Sequence, residues 1–170
     1  METITFNKLL LKTAFCCMAS DGNIDEREIA TIQSLCSNSN SLKEIDFQNS
    51  INQLIDEINK EGKQFIQEYF DLLNKSNLTE KEELILIEFA IKTIYADEIV
   101  EYSEIKFFKN IRHRLKINNE KILEKFPDIE EFLEEDIATV SILDKITSQY
   151  FDIAELPLFD LINIEPYSEK

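Results

Sequence analysis

Ala19-Ser20-Asp21-Gly22-Asn23-Ile24-Asp25-Glu26-Arg27-Glu28 lies between two apolar segments of helical period, and its acids return later in the chain. Moving 76 positions on pairs Asp21 with Asp97 and Glu28 with Glu104, and also Ala14 with Ala90, Ile24 with Val100 and Ile29 with Ile105. One fixed offset that carries core and acidic positions together is an internal duplication, and such a period is read before any local motif. The chain therefore uses one helix-turn-helix unit twice.

Composition agrees with that unit. A chain of 170 residues that is 44% hydrophobic is long enough for a buried core in one domain. Only two glycines and three prolines interrupt it, while Leu, Ile, Glu and Lys dominate, so an all-α fold with short polar loops is expected rather than a β-sandwich. With 34 acids against 18 Lys and Arg, the formal net charge is −16. Such a field repels phosphate and anionic lipid, which excludes nucleic acid and disfavours membrane surfaces as partners. It attracts cations, whether metal ions or a basic protein, although solubility alone also accounts for an acidic surplus.

Cys16, Cys17 and Cys36 make an odd number without CxxC or Cys/His spacing, so neither a disulfide framework nor a zinc site is expected. The first five residues lack the positive start of a signal peptide. Lys12 and Glu88 break the two most apolar runs below the roughly 18 residues that a membrane span needs. The expectation is a cytoplasmic protein that does not insert into a membrane.

Along the chain, Phe6, Leu9, Leu10, Ala14, Phe15, Cys17 and Met18 cover a broad arc of a helix over residues 5–20, which predicts a central position. Gly22 stands where a left-handed residue ends that helix. Asp25 with Glu28 three residues on is a capping-box pattern, and Ile29, Ile32 and Leu35 give the next helix its inner face up to the polar residues 37–40. Ile51, Leu54, Ile55 and Ile58, then Phe65, Ile66, Tyr69, Phe70 and Leu73, predict two helices divided near Gly62, expected as a packing layer between the repeats. Thr79 with Glu82 caps a further apolar helix, the second copy of the first, followed by a turn over residues 97–104 and a helix lined by Ile105, Phe108, Ile111 and Leu115. Short helices are expected over residues 122–126 and 130–133, with a solvated acidic face over residues 128–136 and a further helix over residues 137–149. Residues 150–170 show no clear period; they fit either a segment docked on the bundle or one that binds a partner.

The acidic turns carry the chemistry. When the second helix doubles back, an acid in the turn and another seven residues later can converge, and hard divalent cations take such oxygen ligands. Asp21, Asn23 and Asp25 share the DxNxD order of an EF-hand loop, but position six is Glu26 rather than Gly and position twelve is Ile32 rather than Glu, so an EF-hand is excluded. Asp21 and Glu28 remain as candidate ligands, with Asp25 a third and Asn23 behind it. Capping needs no metal, however: Asp25 can start the second helix and Glu28 can close the box. In the second copy Glu101, a poor cap, replaces Asp25, yet Asp97 and Glu104 keep their places. Glu98 stands where Gly22 stood, and a side chain forced to positive φ costs roughly 1 kcal/mol or more.

An apolar helix, then Asp-Gly-x-Ile, then Glu, given once in full at Asp21 and Glu28 and once more weakly at Asp97 and Glu104, resembles the TerB family of tellurite-resistance-associated proteins over residues 9–115. The resemblance implies a compact bundle of about seven to nine helices on a pseudo-twofold, as one TerB-like domain over residues 1–170. Repeat 1 spans about 5–36, repeat 2 about 79–115, and a C-terminal extension covers 118–170. It further implies that Asp21 and Glu28, and Asp97 and Glu104, are ligands of a divalent metal cation of unknown identity. A role in stress and phage-resistance systems, as a soluble partner of a membrane-associated complex, is implied as well.

Other constellations are weaker. His113, the only histidine, lies between Arg112 and Arg114 without a nucleophile pattern and is expected at the surface. Glycine-rich phosphate loops and GxSxG are absent, and the mid-helix Cys16 and Cys17 are expected to pack rather than react. The expected function is thus a non-enzymatic, cation-binding helical protein that acts through a protein partner. A metal-independent acidic adaptor is the alternative, and a metal-dependent enzyme that uses the acidic turns is the least favoured.

Overall fold

An apolar sequence around nearly the whole helical circumference puts α1 (Thr3–Ala19) at the centre. Leu9, Leu10, Leu11, Ala14, Phe15, Cys16, Cys17 and Met18 are all buried, and Lys12 lays its ammonium 4.7 Å from the centre of the Phe65 ring. The structure, a computed structural model, describes residues 3–20, 22, 24–39, 42, 43, 45–96, 102–133, 159, 161 and 162. The segments expected as an acidic face beyond residue 133 and as a helix over residues 137–149 lie outside them.

Gly22 follows α1 with φ +81°, the left-handed geometry a Cβ would strain, and its N–H bonds Ala19 O at 3.0 Å. The chain then enters α2 (Glu26–Asn38) through the expected capping box. Two amphipathic helices, α3 (Phe47–Glu61) and α4 (Lys63–Lys75), follow and hinge at Gly62, whose φ is +60°. Asp46 caps α3 by accepting from Asn49 N–H at 3.2 Å. Thr79 and Glu82 form a second capping box that opens α5 (Glu80–Ile94). Beyond the second turn come α6 (Tyr102–His113), α7 (Asn119–Lys125), a 3-10 turn (Pro127–Ile129) and α8 (Glu130–Leu133). The fold among the described residues is therefore an all-α bundle of eight α-helices, without strands.

α1 packs most extensively on α5, its copy in the second repeat, and α2 also packs on α5. Ala14 and Ala90, the equivalent positions, are both fully buried. Small side chains at such points let helix backbones approach closely. This corrects the expected place of the α3–α4 hairpin. It does not separate the repeats: it lies against α1 and reaches α6 through Tyr69 and Phe70, whose rings pack 6.2 and 5.2 Å from that of Phe107. The physical reason is the breadth of the apolar arc on α1, which buries one side on α5 and still has another to cover with Phe65 and Tyr69. Thr13 fixes that second contact, with its hydroxyl 2.8 Å from the Tyr69 hydroxyl and donating to Leu9 O.

One hydrophobic cluster runs from Phe6 in α1 to Phe159 near the C-terminus. Phe159 and Ile162 sit on α3, so part of the C-terminal extension docks on the bundle.

Candidate functional site

α2 and α6 each begin just after an acidic stretch of sequence, and each carries a buried glutamate in its first turn. Glu28 is 2% exposed and Glu104 is 1% exposed. Their placement follows from helical spacing: Glu28 stands four residues before the buried Ile32, and Glu104 four before the buried Phe108, so each acid lies on the apolar face of its helix. Carboxylates at helix N-termini are favoured by the helix dipole, which offsets part of the desolvation that burial imposes.

Both glutamates lie within electrostatic reach of Cys17 in α1. Burial pushes the Cys17 thiol well above its ordinary range, and the charges of Cys16, Glu104 and Glu28 add to the rise in that order. Equivalent acids from the two repeats thus act on one side chain in the last turns of α1. Cys17 and Cys16 are fully buried and free of disulfides, as expected.

Asp25 has a different position. Its carboxylate accepts Arg27 N–H at 2.7 Å and also the Arg27 guanidinium at 3.1 and 3.2 Å, and these bonds hold its pKa below the usual 3.8. Glu28 closes the box by accepting Asp25 N–H at 3.3 Å. That bond takes one acceptor position of the Glu28 carboxylate and is compatible with a second role for it. Asp21, Asn23 and Asp97 lie outside the described residues, as does Glu98. Among the described residues no group of three or more His, Cys, Asp and Glu side chains is placed to hold a metal ion.

Three other polar residues escaped the sequence reading. Glu83, 5% exposed, accepts Lys116 N–H at 3.0 Å and Ile117 N–H at 2.8 Å, tying the start of α5 to the chain after α6. Its only sequence signal is an acid three and four residues before the apolar Leu86 and Ile87. Asn52 and Asn59 hold the C-terminal segment, and seven-residue spacing on one helix was the only hint of them. His113 is exposed, as expected. No described helix is long and apolar enough to cross a membrane.

Neither among curated proteins nor among solved structures does anything match the chain significantly. A family model does: the one described as tellurite resistance protein TerB matches residues 10–124, a span that runs from the middle of α1 through α6 and includes the α3–α4 hairpin and the two buried glutamates. The chain belongs to the TerB family.

Proposed function

We propose that this chain acts without chemical turnover, as a cation-responsive helical scaffold of a tellurite-resistance-type system, working in the cytoplasm through a protein partner. The observation that carries the proposal is the pair Glu28 and Glu104, each almost fully buried and both acting on Cys17. A carboxylate taken out of water is disfavoured in its charged form. A divalent cation favours the charged form and takes carboxylate oxygens as ligands.

The residues fit that chemistry. Glu28 and Glu104 offer hard oxygen donors, and Asp21 and Asp97, from the same two turns, are proposed to add further ones. Asp25 stays with the start of α2 and with Arg27. Carboxylate oxygens are hard donors, and the set favours Ca, Mg or Mn over Zn.

Thermal melting of the full chain in chelator and in each of the four ions tests this. An ion at about 100 times its dissociation constant stabilises by about 2.7 kcal/mol. For a chain of this size that raises Tm by about 5 to 11 °C. Asp21→Asn and Glu104→Gln are expected to abolish the rise. An unchanged Tm in all four ions would leave the second reading, a metal-independent acidic adaptor, which the exposed Asp128, Glu130 and Glu131 support.

A further inference from the structure

Two asparagines on α3 hold the C-terminal segment in a way that does not depend on its side chains. Asn59 donates from Nδ2 to Phe159 O and accepts Phe159 N–H at Oδ1, both at 2.8 Å. Asn52 repeats the pattern on Ile162, with Nδ2 3.0 Å from its carbonyl oxygen and Oδ1 2.8 Å from its N. Each amide therefore reads the N–H and C=O of a single residue, as a neighbouring β-strand would.

The spacing selects an extended ligand. Asn52 and Asn59 are seven residues apart and lie about 10.5 Å apart along the helix. The residues they hold are three apart, and three residues reach at most about 10 to 11 Å when stretched. The spacings match those of an extended ligand, and the order of the contacts is antiparallel to α3. Ile55, between the two asparagines on the same face, is fully buried. Phe159 is buried and joins the core, whereas Leu161 is 57% exposed.

We infer that this face of α3 is a docking site for an extended peptide from a basic partner protein, with an aromatic residue at Asn59 and an aliphatic one three positions on at Asn52, and that the chain's own Phe159 and Ile162 mask it. The hydrogen bonds are made to main-chain groups that every polypeptide carries, so only the anchors are selective. A second copy of this chain is a poor occupant. Its segment already makes the same contacts on its own α3, an exchange gains nothing, and two chains of charge −16 repel each other. A basic partner meets the opposite field. It must outcompete a segment that the same chain holds at high effective concentration. This inference stands apart from the cation proposal.

The test uses the full chain and a fluorescein-labelled peptide of residues 156–165 extended by lysines at both ends. Phe159→Asp is expected to unmask the face and to tighten peptide binding at least tenfold over wild type. Adding Asn52→Ala and Asn59→Ala is expected to remove that binding. Equal affinity of wild type and Phe159→Asp, or binding that survives loss of both asparagines, overturns the inference. A wild-type dimer that forms with rising concentration and disappears in the Asn52→Ala, Asn59→Ala variant overturns it too, in favour of a second copy. Should Phe159→Asp fail to melt cooperatively, hydrogen exchange on wild type decides. Excess peptide must speed exchange at Phe159 and Ile162, and unchanged protection there overturns the inference.

Discussion

Glu83→Ala should destabilise the protein by about 3 kcal/mol, because the carboxylate closes the second helix pair from a buried position. Glu83 stands in the first turn of α5, where the helix dipole favours a negative charge. From there it accepts Lys116 N–H and Ile117 N–H at 3.0 and 2.8 Å. Lys116 is exposed, so its N–H finds water after truncation. Ile117 is 5% exposed, and its N–H is left buried without an acceptor, which costs about 1 to 3 kcal/mol. Loss of packing around a side chain that is itself 5% exposed adds about 1 kcal/mol. For a chain of this length each kcal/mol lowers Tm by about 2 to 4 °C, so the melt should fall by about 6 to 12 °C.

Calorimetry measures that drop, and hydrogen exchange localises it. The amides of residues 116 and 117 should lose protection before those of α1. Glu83→Gln keeps the shape and one acceptor oxygen but turns an N–H donor toward the loop, so about half the loss is expected. A Glu83→Ala protein within about 1 kcal/mol of wild type, or unchanged protection at residues 116 and 117, would refute the assignment.

Asp25→Ala removes a helix cap worth about 1 kcal/mol at pH 7, and the difference from wild type should itself depend on pH. Arg27 holds the folded pKa of Asp25 below 3.8, so its stabilisation is present above that value and fades as pH falls through the folded pKa. Urea titrations of both proteins should therefore converge toward pH 3, and a gap that stays constant from pH 7 down to pH 3 would exclude the charged cap. The thiols give a second check. Burial pushes Cys36 up to about 11 and raises Cys16 and Cys17 as well, so an Ellman titration at pH 8 should find none of the three in the folded chain and all three in guanidinium. Fast stoichiometric reaction of the folded protein would contradict the burial.

What could be read from the sequence was local or repeated. Helical period located α1 and α5 because each is apolar around most of its circumference, and the two capping boxes follow from residues three apart. The 76-residue offset singled out Glu28 and Glu104 before any geometry was known. Long-range pairing was not legible. Glu83 meets residues 33 and 34 positions away, and Asn59 meets Phe159 across 100. No local pattern encodes partners at such distances. The α3–α4 hairpin was misplaced for the same reason: amphipathic period shows that a face is buried but not against which helix. Asp25 was ambiguous because a short carboxylate after a turn serves a cap and a cation equally well, and its bonds to the Arg27 guanidinium were not legible from spacing.

The difference between the two repeats bears on what the glutamates are for. The first copy has Gly22 at φ +81° and a complete capping box, whereas the second has Glu98 and Glu101 at the matching positions. The residues at the turn and cap positions therefore differ between the copies. The acid at residues 28 and 104 did not change, although in both copies it occupies a nearly solvent-free position on an apolar face. A buried charge is a weak source of stability, and well-packed apolar residues often replace one at no loss. Leu or Ile at either position would continue the stripe that Ile32 and Phe108 begin. Glu28 also closes the capping box of α2, but an acid at both positions, each on an apolar face, is what the proposed cation site requires. A cation bound there would couple the two helix pairs to each other.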